Sequence, residues 1–333
     1  MSVRVIRPGL LTTVQDLGRF GHQQYGVSVG GAMDSISLRI ANLLVGNASG
    51  SAALEITLAG PVLSFDHDAL IAICGADLSP RVDGIPFAAW RPVWVRQQSR
   101  LEFGPPVRGC RAYLAIAGGF DVPCVLNSQS TYLRANLGGF QGRSLQAGDL
   151  LKTGKISEWA QVMIAELSAL AGNQGRSEAK WFAGADLCEL DLTRPVRVLA
   201  GSQFEWFTRA SQQAFFSEIF TVTNQSDRMG YRLEGPSLEL DHPRELISEG
   251  VTMGSIQVPA GGQPIVLMAD RPTTGGYPKI AQVATVDLAR LAQARPRDKI
   301  RFTQISVDEA QQALRTQDAT MQRLTSGLVL MVR

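Results

Sequence analysis

Long apolar runs are missing from this sequence. No stretch approaches the roughly 20 consecutive apolar residues that a helix needs to cross a bilayer. The first residues, MSVRVIRPGLL, also lack the apolar core that is typical of a secretory signal peptide. We therefore expect no membrane span and predict a cytoplasmic protein.

Cysteine and histidine are scarce, with four and three copies in 333 residues. No Cys-x-x-Cys pair and no His-Glu-x-x-His sequence occurs, so the spacings expected of a zinc ribbon or a zinc protease are absent. We expect no structural metal. The cysteines are predicted to be buried thiols: Cys74, Cys110, Cys124 and Cys188.

An excess of charge of either sign is also absent. The 32 basic and 30 acidic side chains leave a formal net charge of +2, and they are spread along the chain. Proteins that bind nucleic acids usually concentrate Lys and Arg on one face or tail. The charge pattern therefore predicts no nucleic-acid partner.

Three cofactor motifs do not occur. The chain has no Gly-x-x-x-x-Gly-Lys-[Ser/Thr] and no Gly-x-Gly-x-x-Gly, which disfavours a self-contained P-loop ATPase or a Rossmann dehydrogenase. The Met-Lys-Met tripeptide of biotin-acceptor domains is missing as well. We expect no covalent biotin on this chain.

The sequence does contain many short runs of β-branched and aromatic residues between Gly, Pro and Asp, a spacing typical of barrels or sandwiches. The predicted strands are ALIAIC, PVWVRQ, RLEFG, AYLAIAG, PVRVLA, IFTVTN, SIQVP, PIVLMA and KIRFTQI. Because 333 residues exceed what one core usually covers, two domains are expected. We predict a mainly β fold with a few helices, divided into an N-terminal β-rich domain (1–185) and a C-terminal barrel domain (186–333).

Four helices are predicted from apolar spacing and capping residues. They cover DSISLRIANLLVG (34–46), EWAQVMIAELSALAG (158–172), TVDLARLAQARP (285–296) and SVDEAQQALR (306–315). In the first, Asp34 or Ser35 is the N-cap and Gly46 ends the helix. In the last, Ser306 and Glu309 have the spacing of a capping box.

The segment ADRPTTGGYPKI (269–280) is the strongest candidate for a ligand-binding loop, because it follows the apolar run PIVLMA. Its glycine N–H groups, threonine hydroxyls and lysine cation could hold one small anion. The same residue types also build an ordinary hairpin turn. Composition does not decide between these two interpretations.

Other polar residues have two interpretations as well. Arg228 or Arg232 could bind a carboxylate or phosphate through two parallel hydrogen bonds. Alternatively, Asp227 and Arg228 could form a surface ion pair. Glu249 has few charged neighbours in sequence, so it is either a general base, if buried, or a capping carboxylate.

Nine stretches, in order across almost the whole chain, resemble the KipA or allophanate-hydrolase-subunit-2 family, a group with biotin-dependent carboxyltransferase-like domains. They are TTVQDLGRFG, GVSVGGAMD, ALEITLAGP, ICGADL, RAYLAIAGGFDVP, STYLRANLGGFQGR, SDRMGYRLEGP, SEGVTMGSIQVP and ADRPTTGGYPKIA. The resemblance implies β-barrel modules, of which the C-terminal one is cyclophilin-like.

The resemblance also implies an activity and partners. A member of this family would serve as the C component of a prokaryotic ATP-dependent 5-oxoprolinase, acting with a KipI-like B component and an A component to open 5-oxoproline to L-glutamate. ATP would be bound in the assembled complex, and the isolated chain would be inactive. Two alternatives stay open: a carboxyltransferase component for urea or a similar amide with a separate biotin carrier, and a non-catalytic partner that antagonises a KipI-like kinase inhibitor.

On the same basis, the site is expected in the C-terminal barrel. The predicted catalytic residues are Glu249, Lys279 and Asp270. The predicted substrate-binding residues are Arg228, Arg232, Gln257, Thr273, Thr274, Gly275, Gly276 and Tyr277. The chain departs from the family at Pro272, where Gln is expected more often, and this replacement removes an amide and a backbone N–H.

Overall fold

The computed structural model describes residues 1–172, 174–184 and 191–331. The chain divides into two compact units: the first contains Met1–Arg19, Gly30–Glu189 and Thr320–Arg333, and the second contains Phe20–Val29 and Leu190–Ala319. The domain boundary predicted between residues 185 and 186 lies outside the described residues. In both units the strands outnumber the helices, as predicted.

The first unit contains two six-stranded sheets. Its strands are β1 (Ser2–Arg7), β2 (Leu11–Gln15), β3 (Ala53–Thr57), β4 (Val62–Phe65), β5 (Ala69–Asp77), β6 (Pro80–Val82), β7 (Ile85–Pro86), β8 (Val93–Val95), β9 (Arg100–Phe103), β10 (Arg108–Ile116), β11 (Leu150–Lys152) and β12 (Arg176–Glu178). The strand orders are β11-β1-β4-β9-β6-β7 and β12-β8-β5-β10-β3-β2.

The core of this unit lies between the two sheets. Alternate residues of β1 and β4, such as Val3, Val5 and Leu63, belong to the same buried cluster as Ile71 and Leu114 of the second sheet. Strands β5 and β10 are buried on both faces, because the helix Ser35–Leu44 packs against them. A strand covered on both faces needs apolar residues at successive positions, which explains the continuous runs ALIAIC and AYLAI.

The second unit is built on an eight-stranded sheet and a two-stranded ladder. Its strands are β13 (Val196–Ala200), β14 (Phe220–Val222), β15 (Gly230–Glu234), β16 (Glu249–Gly250), β17 (Ser255–Gln257), β18 (Ile265–Leu267), β19 (Thr274–Gly275), β20 (Lys279–Val283), β21 (Lys299–Ile300) and β22 (Phe302–Gln304). The large sheet has the order β21-β14-β15-β18-β17-β20-β13-β22, and β16 pairs with β19.

This large sheet is nearly closed into a barrel. Its two outermost strands, β21 and β22, are joined by the single residue Arg301, so the two ends of the sheet must meet. Phe302 on β22 stacks on Phe215, with ring centroids 4.7 Å apart, and lies 5.8 Å from the ring of Phe220 on β14. All three rings are almost fully buried and fill the interior near this junction.

Five α-helices lie within the described ranges: α1 (Ser35–Leu44), α2 (Glu158–Ala171), α3 (Arg209–Ser217), α4 (Thr285–Leu291) and α5 (Val307–Leu330). The four predicted helices are confirmed, although α5 is longer than predicted. Asp34 caps α1 by accepting a hydrogen bond from the Ser37 N–H at 2.9 Å. The capping box of α5 is also confirmed, because Ser306 N–H donates to Glu309 and Glu309 N–H donates to the Ser306 hydroxyl.

The cysteine prediction is confirmed in part. Cys74 and Cys110 are buried thiols, but Cys124 is exposed, so the prediction was wrong at that position. Cys124 follows Pro123 in a segment without regular structure, where no apolar layer covers it. Cys188 lies outside the described residues. Within the part of the chain that the structure describes, no helix is long and apolar enough to cross a membrane.

Candidate active site

The segment 269–280 forms a strand of its own. It leaves β18, pairs as β19 with β16, and returns to the barrel as β20. Glu249 is paired with Gly275, and Gly250 with Thr274; the ladder extends through a hydrogen bond from Val251 N–H to the Thr273 carbonyl at 3.1 Å. This ladder brings Glu249 to the segment that the sequence identified as the candidate loop.

An ion pair lies where the ladder meets the barrel. The Lys279 ammonium donates to Oε1 of Glu249, and the Gln203 side-chain amide donates to the same oxygen at 3.2 Å. Lys279 is largely enclosed, with 12% of its side chain exposed, whereas 42% of the Glu249 side chain is exposed. The carboxylate is therefore accessible from outside, and the ammonium approaches it from the barrel.

Hydrogen bonding controls the charge of this carboxylate. The hydrogen bond from Lys279 lowers the pKa of Glu249, and the Lys279 charge and the Gln203 amide act in the same direction, while desolvation opposes them. The net effect favours the ionised form. Glu249 is consequently a carboxylate at neutral pH, able to accept a proton or a hydrogen bond.

Gln203 is a functional candidate that the sequence analysis missed. Its side-chain carbonyl accepts the Lys279 backbone N–H at 3.1 Å, and its own backbone N–H donates to the Lys279 carbonyl at 3.3 Å. With the bond to Glu249, this buried side chain contacts both members of the ion pair. Side chains that follow the end of a strand often line functional sites. The only sequence signal for Gln203 was therefore its position, three residues after the predicted strand PVRVLA.

Gln257, on barrel strand β17, supports the β16–β19 ladder from the barrel side. Its amide nitrogen donates to the Tyr277 carbonyl at 3.3 Å, and its side chain is buried. A methyl group built on Gly275 would lie 2.7 Å from that nitrogen, closer than any normal contact. A side chain at position 275 would therefore displace the Gln257 amide, and glycine allows the backbone to approach it closely.

Arg228 and Asp270 form a buried pair. Nε of Arg228 donates to Oδ2 of Asp270 at 2.9 Å, a terminal guanidinium nitrogen donates to Oδ1 at 2.9 Å, and Asp270 N–H donates to the Arg228 carbonyl. Each residue is 5% exposed. Asp227 instead accepts from the N–H groups of Met229 and Gly230, as in a turn. The partner of Arg228 in this ion pair is thus Asp270, 42 residues away in sequence.

Arg232 lies apart from the other predicted site residues. The strand register pairs Arg232 with Ile265, Ile265 with Gln257, and Gln257 with Lys279. Three strand spacings of about 4.8 Å separate the backbones of Arg232 and Lys279 by roughly 14 Å along the sheet. Arg232 is exposed and lines a separate cavity.

The remaining predicted residues lie on the outer part of the ladder. Thr274 is exposed, Tyr277 is 50% exposed, and Thr273 and Gly276 are half-buried. Gly276 and Tyr277 line a second cavity of about 580 Å³ together with residues 237–240, 243–246 and 258–262. The structure therefore brings Glu249, Lys279, Gln257 and the Thr-Gly residues together, and leaves Arg232 outside.

One further pattern, GVSVG at residues 26–30, fits the Gly-x-Ser-x-Gly spacing of hydrolase nucleophiles. That motif requires a strand directly before the serine and a helix directly after it. Here a single turn of 3₁₀-helix precedes Gly26, and the Ser28 hydroxyl is buried and donates to the Arg271 carbonyl at 2.8 Å. The geometry supports a structural role for Ser28.

Comparison with known proteins agrees with this arrangement of modules. Residues 25–304 match the family model described as "Carboxyltransferase domain, subdomain A and B". The chain belongs to the carboxyltransferase domain family. The resemblance inferred from the nine sequence stretches is thereby confirmed.

Within the carboxyltransferase domain family, the chain is similar to bacterial proteins of the same length. It is 41% identical to the 5-oxoprolinase C component of Escherichia coli over 97% of both chains. It is also 41% identical to the protein of the same name in Haemophilus influenzae, over 90% of this chain and 89% of that one.

Solved carboxyltransferase structures share the fold. The urea amidolyase of K. lactis superposes with a TM-score of 0.85 at 32% identity, covering 97% of this chain and 20% of that protein. The chain thus spans about a fifth of that longer enzyme. The mainly β architecture with barrel modules is confirmed by this likeness.

Proposed function

We propose that this chain is the C component of an ATP-dependent 5-oxoprolinase, which opens the lactam ring of 5-oxoproline to give L-glutamate. The observation that carries the proposal is the 41% identity to the 5-oxoprolinase C component of Escherichia coli across 97% of both chains. A match over the full length of both chains supports a shared role better than a match to one domain of a larger enzyme.

The chemistry of a lactam fits the Glu249–Lys279 pair. Resonance stabilises the amide, so its carbonyl must be activated before water can add to the carbon. In the proposal ATP would supply this activation by transferring a phosphoryl group to the amide oxygen with release of ADP, and phosphate would leave as the ring opens. The Lys279 ammonium stabilises negative charge on the substrate or its activated oxygen, and Glu249 orients the attacking water by accepting its hydrogen bond. A general base at position 249 was expected only if buried, and Glu249 does not meet this condition, since 42% of its side chain is exposed and its lowered pKa makes it a weaker base.

The ladder residues hold the substrate in this proposal. The Thr273 and Thr274 hydroxyls and the Gly276 N–H offer donors to a carboxylate or carbonyl oxygen. Gln257 and Gln203 fix the ladder and the ion pair from the barrel side. We assign a positioning role to Arg228 and Asp270, because each satisfies the other inside the protein, directly before the loop.

Partners complete this site in the proposal. The bacterial relatives are named as single components of a larger enzyme, so the active enzyme contains further chains, which we propose to be a KipI-like B component and an A component. The sequence has no P-loop, so we assign ATP binding to the assembled complex. The isolated chain is expected to be inactive. Because the assembled complex would use ATP, we propose the cytoplasmic location predicted above.

A carboxyltransferase reaction is the second candidate, and the likeness to urea amidolyase at a TM-score of 0.85 favours it. In that reaction a carboxyl group passes from carboxybiotin to an amide nitrogen. The biotin would have to come from another chain, since this one has no acceptor tripeptide.

One experiment distinguishes the oxoprolinase from the carboxyltransferase candidate. The chain is co-purified with its cognate A and B components, and glutamate formation from 5-oxoproline and ATP is measured with each of the three chains omitted in turn. We expect activity only when all three chains are present. Absence of turnover in an intact complex would exclude the oxoprolinase, and carboxylation of urea with a biotinylated carrier would then identify the carboxyltransferase.

A further inference from the structure

A cavity of the barrel unit lies away from the Glu249–Lys279 pair. It has a volume of about 920 Å³ and is formed by β14, β15, the start of β18 and the segment before β21. This volume lies within the range of about 300–1,000 Å³ that is typical of small-molecule sites. Nothing in the proposed oxoprolinase mechanism uses it.

The cavity combines an apolar wall with polar groups. Ile265 and Pro259, both half-buried, contribute apolar surface. The side chain of Gln263, which also lines the cavity, donates to the Gly235 carbonyl at 3.1 Å and accepts the Gly235 N–H at 2.9 Å. This double hydrogen bond fixes one wall, so the cavity shape does not depend on a mobile side chain.

Two arginines give the cavity its charge. Arg232 and Arg297 both line it, both are exposed, and neither makes an ion pair with any residue in the described ranges. Glu234 is the acidic residue of the lining, and it follows Arg232 by two positions on the same strand face, about 7 Å along β15. The lining therefore carries one more positive than negative charge.

The backbone conformation and hydrogen bonding of Arg297 fix its position beside the cavity. Arg297 has a left-handed conformation with φ of 77°, which is unfavourable for a residue with a side chain. Its N–H donates to the Val222 carbonyl at 2.7 Å, which ties it to the end of β14. On the neighbouring strand, the Arg232 carbonyl accepts the Thr223 N–H, so both arginines are anchored to the same strand end.

We propose that this cavity is a second ligand site, which binds a small molecule through a phosphate or carboxylate group held between Arg232 and Arg297. A guanidinium presents paired N–H donors that match the geometry of both oxyanions. The apolar wall would contact the remainder of the ligand, which favours a small organic anion over a bare ion. The site is separate from the proposed lactam site, so it can exist whether or not that proposal holds.

Calorimetric titration of the full chain tests the site. The titrants are inorganic phosphate, ATP and 5-oxoproline, each used alone. Binding of phosphate or ATP would show that the site recognises a phosphate group, and binding of 5-oxoproline would show that it recognises a carboxylate. We expect saturable binding of at least one. Arg232→Gln and Arg297→Gln should each weaken it about tenfold or more, the change that corresponds to about 1.4 kcal/mol.

Arg209→Gln is the matched control, because Arg209 is an exposed arginine of the same unit on α3, outside the cavity. It should leave binding unchanged, and circular dichroism should show that all variants are folded. The proposal is overturned if none of the three titrants binds, if the control weakens binding equally, or if binding survives both arginine changes. Loss of that surviving binding in Lys279→Met would place the ligand at the Glu249–Lys279 pair instead.

Discussion

Replacing Lys279 with Met tests the proposed chemistry most directly. The change keeps a long unbranched side chain in a largely enclosed position and removes only the ammonium that donates to Glu249. Since 42% of the Glu249 side chain is exposed, water can solvate the carboxylate that remains. We therefore expect the free energy of unfolding to fall by no more than about 1 kcal/mol, the usual value of an accessible ion pair.

Catalysis should respond far more strongly than stability. If the ammonium stabilises charge that develops on the substrate, its loss should lower kcat by about 10²–10³, as for the loss of one preorganised donor. The assay is glutamate release from 5-oxoproline and ATP by the assembled complex, with thermal unfolding of the variant chain measured in parallel. The contrast between a large kinetic and a small thermodynamic effect is the signature of a catalytic residue.

Lys299→Met provides the control for this experiment. Lys299 is an exposed lysine on β21 of the same barrel, three strands from β20 by way of β22 and β13. It should retain activity. If Lys279→Met keeps more than about half of the wild-type kcat, or if both variants lose activity together, Lys279 does not take part in the chemistry and the reasoning fails.

Three other changes are expected to have specific effects. Gln203→Leu should lower the free energy of unfolding by about 1–3 kcal/mol, measured by urea denaturation, because it removes the acceptor of a backbone N–H and a donor to Glu249. Gly275→Ala should displace the Gln257 amide and lower kcat, whereas Gly250→Ala, whose added methyl meets nothing within 4 Å, should be neutral in the same assay. The Glu249–Lys279 ion pair should stabilise the protein fully above the ordinary Glu pKa of 4.5, and this stabilisation should be lost as the pH falls through the lower pKa of Glu249 in the folded state. The difference in urea midpoint between wild type and Glu249→Gln should therefore shrink on acidification. A difference that stays constant with pH would contradict the assignment.

Much of the secondary structure could be predicted because its signals are local. The apolar spacing of α1, its Asp34 cap and the Ser306–Glu309 box depend on residues within a few positions of each other, and all are confirmed. Helix α3 was missed since its nine residues, RASQQAFFS, bury only Ser211 and Phe215. A short segment with so polar an average composition resembles a polar loop in sequence.

The composition of the site could be predicted only in part. Glu249, Gln257 and Lys279 were identified through a family resemblance, and the structure brings them together through β16, β17 and β20. The partner of Arg228 could not be predicted, because Asp270 is 42 residues away and the adjacent Asp227 seemed an equally good choice. Gln203 was missed for the same reason, since it reaches Lys279 from 76 positions away.

The two members of the ion pair are held with unequal rigidity, and this explains why the ladder matters. Lys279 begins β20, a central strand of the barrel that is paired on both sides. Glu249 lies on the two-residue strand β16, which is paired only with β19 in the described structure. A perturbation of the ladder should therefore move Glu249 while Lys279 stays in place, so Gly275→Ala should reduce kcat through the position of the carboxylate even though residue 275 carries no reactive group.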